Sequence, residues 1–187
     1  MLLRTCGAEV ITEYEALVER VRDILTIEQS VLITGFSGAG KSHLAERLGS
    51  DLGVSMVHLD EYGYSKKRAG VAEWLIDFGK VPEARIYEGT ADNLIQWAAG
   101  KVRTIIFPIP DYESFIRIMR AKVKDGHGQA DPSFVRYWNE KSRFQYHEYV
   151  GYAIDRLFDR MARHALGHFI VYPHLIAGDI DKGWHEQ

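Results

Sequence analysis

A chain of 187 residues is long enough to bury one sizeable core and too short for two ordinary domains. With 46% hydrophobic and 26% charged residues it has a globular composition, which excludes wholesale disorder. A formal charge of −3 excludes a basic field over the whole surface, the single cysteine (Cys6) excludes an internal disulfide framework, and no apolar run approaches the ~20 residues of a membrane span.

The N-terminal MLLRTCGAEVITEYEALVERV has no sustained apolar core and does not read as a signal peptide, so a soluble, cytoplasmic protein is expected. From Thr12 to Leu25, helical spacing of Tyr14, Leu17, Val18, Val21, Ile24 and Leu25 predicts a helix with Thr12 as its N-cap. Val31 to Thr34 reads as a short strand that runs into GFSGAGKS. Lys41 to Leu52 reads as a helix stopped by Gly53. A second buried strand, Ser55 to Leu59, ends at Asp60. The polar EYGYSKKRAG follows, and helical spacing resumes over Val71 to Phe78.

Ala84 to Tyr87 is a third strand ending at Glu88-Gly89, and Ala91 to Ala99 a further helix. Val102 to Phe107 is the clearest remaining strand, with Pro108 and Pro110 as its terminators. Glu113 to Lys124 predicts a basic helix that ends in a flexible DGHGQADP. An aromatic-rich helical region follows from Ser133 towards Ala165, with a break near Gly151, and His168 to Tyr172 is the fifth strand. Strands alternating with helices predict a single α/β domain. Its expected core is a five-stranded parallel sheet with helices on both faces, and a lid-like helical insertion spans about 111–165.

GFSGAGKS, Gly35 to Ser42, fits the pattern G-x-x-x-x-G-K-[ST] in the required setting of strand, loop and helix. Gly35, Gly38 and Gly40 let the backbone turn its N–H groups towards phosphate oxygens, with Phe36, Ser37 and Ala39 completing the loop and His43 just inside the helix. The helix adds the positive end of its dipole. Lys41 is expected to reach the β and γ phosphates of ATP or another nucleoside triphosphate, and the Ser42 hydroxyl to ligate Mg²⁺.

This loop, with HLDEY (His58 to Tyr62) and IYEG (Ile86 to Gly89), resembles the P-loop kinases of the nucleoside and nucleotide, adenylate-kinase-like group. The likeness extends from Val31 to Lys124, and the chain also looks like the phage kinases that phosphorylate 5-hydroxymethyluracil in DNA. It implies an ATP- and Mg²⁺-dependent phosphotransferase with a nucleoside, a nucleotide or modified DNA as acceptor, working in a host cytoplasm if phage-encoded. Asp60 is the expected general base at a strand end, with Glu61 its substitute and a turn aspartate the alternative. Glu88 is expected to support the Mg²⁺ shell or orient the acceptor. Arg117 and Arg120 occupy the position of a lid's arginines, where they would stabilise transferred charge, although a solvated helix face explains them too.

Lys66, Lys67 and Arg68 follow Asp60 and suit an anionic acceptor or a solvated loop equally. The aromatic residues between Phe134 and Phe158 read first as core and second as a stacking platform for bases. The histidines show no metal-binding spacing. The strongly apolar RTIIFP lacks the terminal aspartate of motor ATPases. A switch or assembly ATPase without an acceptor is the rival reading.

Overall fold

Alternate residues of each short central strand enter two different apolar cores, so both faces of the sheet must be covered. Leu32, Tyr87, Ile105, Phe107, Phe169 and Val171 face one core, while Val31, Ile33, Ile86, Ile106, Ile170 and Tyr172 face the other. The computed structural model describes residues 8–68, 71–91, 93–124, 141, 143–163 and 167–174.

In chain order the elements are β1 (Glu9–Val10), α1 (Tyr14–Ile27), β2 (Val31–Ile33), α2 (Lys41–Leu52) and β3 (Met56–His58). A 3-10 turn (Leu59–Tyr62), β4 (Gly63–Arg68), β5 (Val71–Ile76), β6 (Ile86–Glu88) and α3 (Leu94–Ala98) follow. The chain continues with β7 (Thr104–Pro110), α4 (Tyr112–Lys124), α5 (Arg143–Arg163) and β8 (His168–His174). The main sheet has six strands in the order β1-β8-β7-β2-β6-β3, and every pairing in it is parallel. The α/β class and the parallel sheet with helices on both faces are as expected. The strand count is one higher, because the two residues of β1 pair with Ile170 and Val171 and are too few to show a periodicity.

Helices α1 and α2 cover one face through Leu17, Val21, Ile24, Leu44 and Leu48; α3, α4 and α5 cover the other. The first helix begins at Tyr14, with Glu13 rather than Thr12 at its N-cap. Asp111 caps α4, its Oδ1 accepting from the Ser114 amide at 2.9 Å and its Oδ2 from the Ser114 hydroxyl at 2.6 Å. Helix α5 runs without a break through Gly151, since packing of Tyr146, Val150, Ile154 and Leu157 outweighs one glycine's preference. The predicted stretches 125–140 and 142 lie outside the described residues.

Two expectations need correction. The segment 71–78 is not a helix: Val71–Ile76 pairs with Gly63–Arg68 in a two-stranded antiparallel hairpin. The ring of Trp74 lies so close to Gly63 that a Cβ there would come within 2.2 Å of it, and only glycine admits this packing. Asn93 then pins the end of the hairpin, accepting from the Ile76 amide at 3.1 Å and donating to its carbonyl at 3.0 Å.

Nor do Pro108 and Pro110 end their strand. Even-numbered residues of β7 bond towards β2, as the Ile106 carbonyl does with the Thr34 amide at 3.0 Å. The next rung would need an N–H from residue 108 to the Thr34 carbonyl, and proline has none. β2 has ended there, so the prolines cost β7 nothing on its other side, where it pairs with β8 as far as His174.

Candidate functional site

The loop Gly35–Ser42 joins the central strand β2 to α2, at the carboxyl ends of the parallel strands. Gly40 is the N-cap of α2 and lies in the left-handed region, with φ 78°. Gly38 has φ 82°, and a Cβ on it would come within 2.7 Å of the Met119 sulfur and 3.0 Å of the Phe115 ring. Helix α4 thus packs directly on the loop. Phe36 is buried among Tyr149, Phe115, Phe107 and Tyr146, with ring centroids 5.3, 5.8, 5.9 and 6.4 Å away. Burying such a ring is worth about 1.5–3 kcal/mol, so the loop is anchored to the core at its second residue.

Lys41 is only 8% exposed, and its Nζ donates to the Phe36 carbonyl at 3.1 Å. Ser37 is exposed, Ala39 buried and His43 half-buried. The Ser42 hydroxyl donates to Glu88 Oε2 at 3.2 Å. Glu88 is 2% exposed and closes β6, the strand beside β2. A hydroxyl and a buried carboxylate meeting at the start of α2 are hard oxygen donors, a set that suits Mg²⁺. Among the described residues, no group of three or more His, Cys, Asp and Glu is arranged to hold a metal ion.

The same Glu88 oxygen lies 3.0 Å from His58 Nδ1, and His58 Nε2 lies 3.4 Å from Glu46. His58 and Glu88 stand in register on β3 and β6. Burial opposes a charge on the imidazole, but the hydrogen bond to Glu88 and the fields of Glu88, Glu46 and Glu61 outweigh it, and the pKa rises above the ordinary histidine value. The stabilising contribution of this pair is therefore complete below the unfolded value and disappears as pH rises through the folded one. In an NMR titration of the His58 ring, Glu88→Gln is expected to lower its midpoint; an unchanged midpoint would refute the pairing.

Asp60 is the second residue of the turn after β3, and its Oδ1 accepts from the Thr90 amide at 3.0 Å. Thr90 Oγ1 donates in turn to the Gly35 carbonyl at 3.0 Å. The Thr34 hydroxyl donates to the Gly89 carbonyl at 2.9 Å. The ends of β2, β3 and β6 are thereby tied together around the loop, and Asp60 is joined to the first loop glycine through one residue. Glu61 is exposed beside it.

The other expected residues are placed elsewhere. Lys66 and Lys67 are exposed on β4, which Arg68 ends, in the hairpin outside the main sheet. Arg117 and Arg120 are exposed on α4, away from the buried side of that helix where Phe115 and Met119 meet the loop. Of the aromatic residues, Tyr146 is core and donates to the Pro110 carbonyl at 2.6 Å, whereas Phe144 and Tyr152 are exposed.

Sequence reasoning missed four residues around the loop: Thr90, His58 as the partner of Glu88, and Arg156 and Arg160 of α5. A cavity of about 230 Å³ opens beside Gly35, between the strand ends and α5, and Arg156 and Arg160 line it. Their i, i+4 spacing was the available signal. None of the described helices is long and apolar enough to cross a membrane. Comparison with protein-family models, curated proteins and solved structures gives no significant match to this chain.

Proposed function

We propose that the chain transfers the γ-phosphate of ATP, or of another nucleoside triphosphate, to a hydroxyl of a nucleoside, a nucleotide or a nucleic-acid base. One observation carries this reading: a G-x-x-x-x-G-K-S loop opens α2 with its serine hydroxyl 3.2 Å from a buried carboxylate, Glu88. The turn and the helix N-terminus favour phosphate oxygens. Lys41 exchanges its bond to the Phe36 carbonyl for the transferring phosphate, and Ser42 and Glu88 would hold Mg²⁺. When bound, that ion neutralises charge on the phosphates.

In the transfer, the acceptor oxygen bonds to the γ-phosphorus while the bond from that phosphorus to the bridging oxygen breaks. The nucleoside diphosphate leaves with the electron pair, and the hydroxyl proton passes to Asp60. Incubation with γ-labelled ATP, Mg²⁺ and a panel of nucleosides, nucleoside monophosphates, plain DNA and DNA containing 5-hydroxymethyluracil tests this. Label is expected on one acceptor class with little release of free phosphate. Hydrolysis at one rate with every acceptor and with none would overturn the kinase reading in favour of a switch ATPase.

A further inference from the structure

The cavity beside Gly35 is walled on one side by Phe36 and Thr90, and on the other by Tyr149, Tyr152, Arg156 and Arg160 of α5. Gly35 and Phe36 of the phosphate loop line the cavity, and Thr90, also in its lining, bonds both Asp60 and the Gly35 carbonyl, so one residue links the cavity to the proposed base. Its lining joins aromatic faces to two guanidinium groups. Tyr152 remains 60% exposed, and the Arg156 guanidinium sits 5.7 Å from the centre of its ring.

Arginines four residues apart on a helix repel each other. Neither Arg156 nor Arg160 pairs with a carboxylate among the described residues. An anion placed between them relieves that repulsion and gains charge-assisted hydrogen bonds, which guanidinium groups give to phosphate or carboxylate in pairs.

We infer that this cavity is the acceptor pocket, and that it takes a small alcohol bearing one planar aromatic ring system and its own phosphate or carboxylate, the anion held by Arg156 and Arg160. The inference rests on the phosphoryl-transfer reading for the word acceptor, though not for the pocket. A volume of about 230 Å³ suits one ring and its substituents rather than a strand of nucleic acid. Asp155 and Asp159 are exposed on the same helix, so α5 does not present the uninterrupted positive stripe that tracks a polynucleotide backbone.

The test is calorimetric binding of the deoxynucleoside 5′-monophosphates, the matching neutral nucleosides and a short DNA duplex, to the full chain and to R156Q/R160Q. Binding of Mg²⁺ with a non-hydrolysable ATP analogue is measured beside it, and thermal melting checks that the variant is folded. At least one monophosphate is expected to bind at least tenfold more tightly than its nucleoside, and to lose at least tenfold in the variant, while the ATP analogue binds as before. Equal binding of nucleoside and monophosphate, a duplex that binds more tightly than either, or a variant that binds the monophosphate unchanged would each overturn the pocket. If the monophosphate behaves as expected and the ATP analogue fails to bind, the pocket stands and the phosphoryl-transfer reading falls.

Discussion

Lys41→Met is expected to lower the rate of γ-phosphate transfer by about a hundred- to a thousandfold, the loss usual when one preorganised charge donor is removed from a developing anion. Methionine keeps the unbranched stem that lies buried at the start of α2, so the loop and helix should remain in place. What disappears is the ammonium group, which bonds the Phe36 carbonyl and which the proposed mechanism moves onto phosphate. Initial rates with Mg²⁺ and ATP, beside thermal melting of the variant, separate lost chemistry from lost fold. A folded Lys41→Met protein that transfers at the original rate would remove the loop from the chemistry.

Asp60→Asn is expected to lower transfer by about a hundred- to ten-thousandfold while leaving ATP affinity unchanged, because a general base contributes that much and touches the acceptor rather than the nucleotide. Asparagine is the informative replacement. Its amide oxygen can still accept from the Thr90 amide, so the tie between Asp60 and the loop at Gly35 persists while basicity is lost. Asp60→Ala should break that tie and weaken ATP binding as well. Equal transfer by Asp60→Asn and the original chain would pass the role to Glu61, and Glu61→Gln would then show the loss.

The loop and its helix were legible because their signals are local. Glycine spacing, Lys41 at the first helical position and Gly53 at the stop all lie within one stretch of chain, and α2 has the predicted bounds. Strands β2 and β6 were legible within a residue or two, as apolar runs ending at chemistry. The hairpin was not. VAEWLI is short enough to satisfy either period, and what decides it is Trp74 over Gly63, a contact between residues on different strands. The partnership of His58 with Glu88 arises from the β3–β6 register, and no single segment contains it. Arg156 and Arg160 sit on a helix whose aromatic content drew attention to packing. Which side of α5 meets the strand ends is fixed by Tyr146, Val150 and Leu157 in the core.

Pro108 and Pro110 give the crevice above the sheet a permanence that side-chain packing alone would not. Two parallel strands that diverge leave unpaired amides along the fork, and such amides invite the strands to zip further or a passing segment to insert. Here the two β7 positions that would face a longer β2, 108 and 110, carry no N–H, so a longer β2 would find no donor there. The opening where Gly35 turns away is thus guarded by covalent chemistry rather than by a balance of contacts.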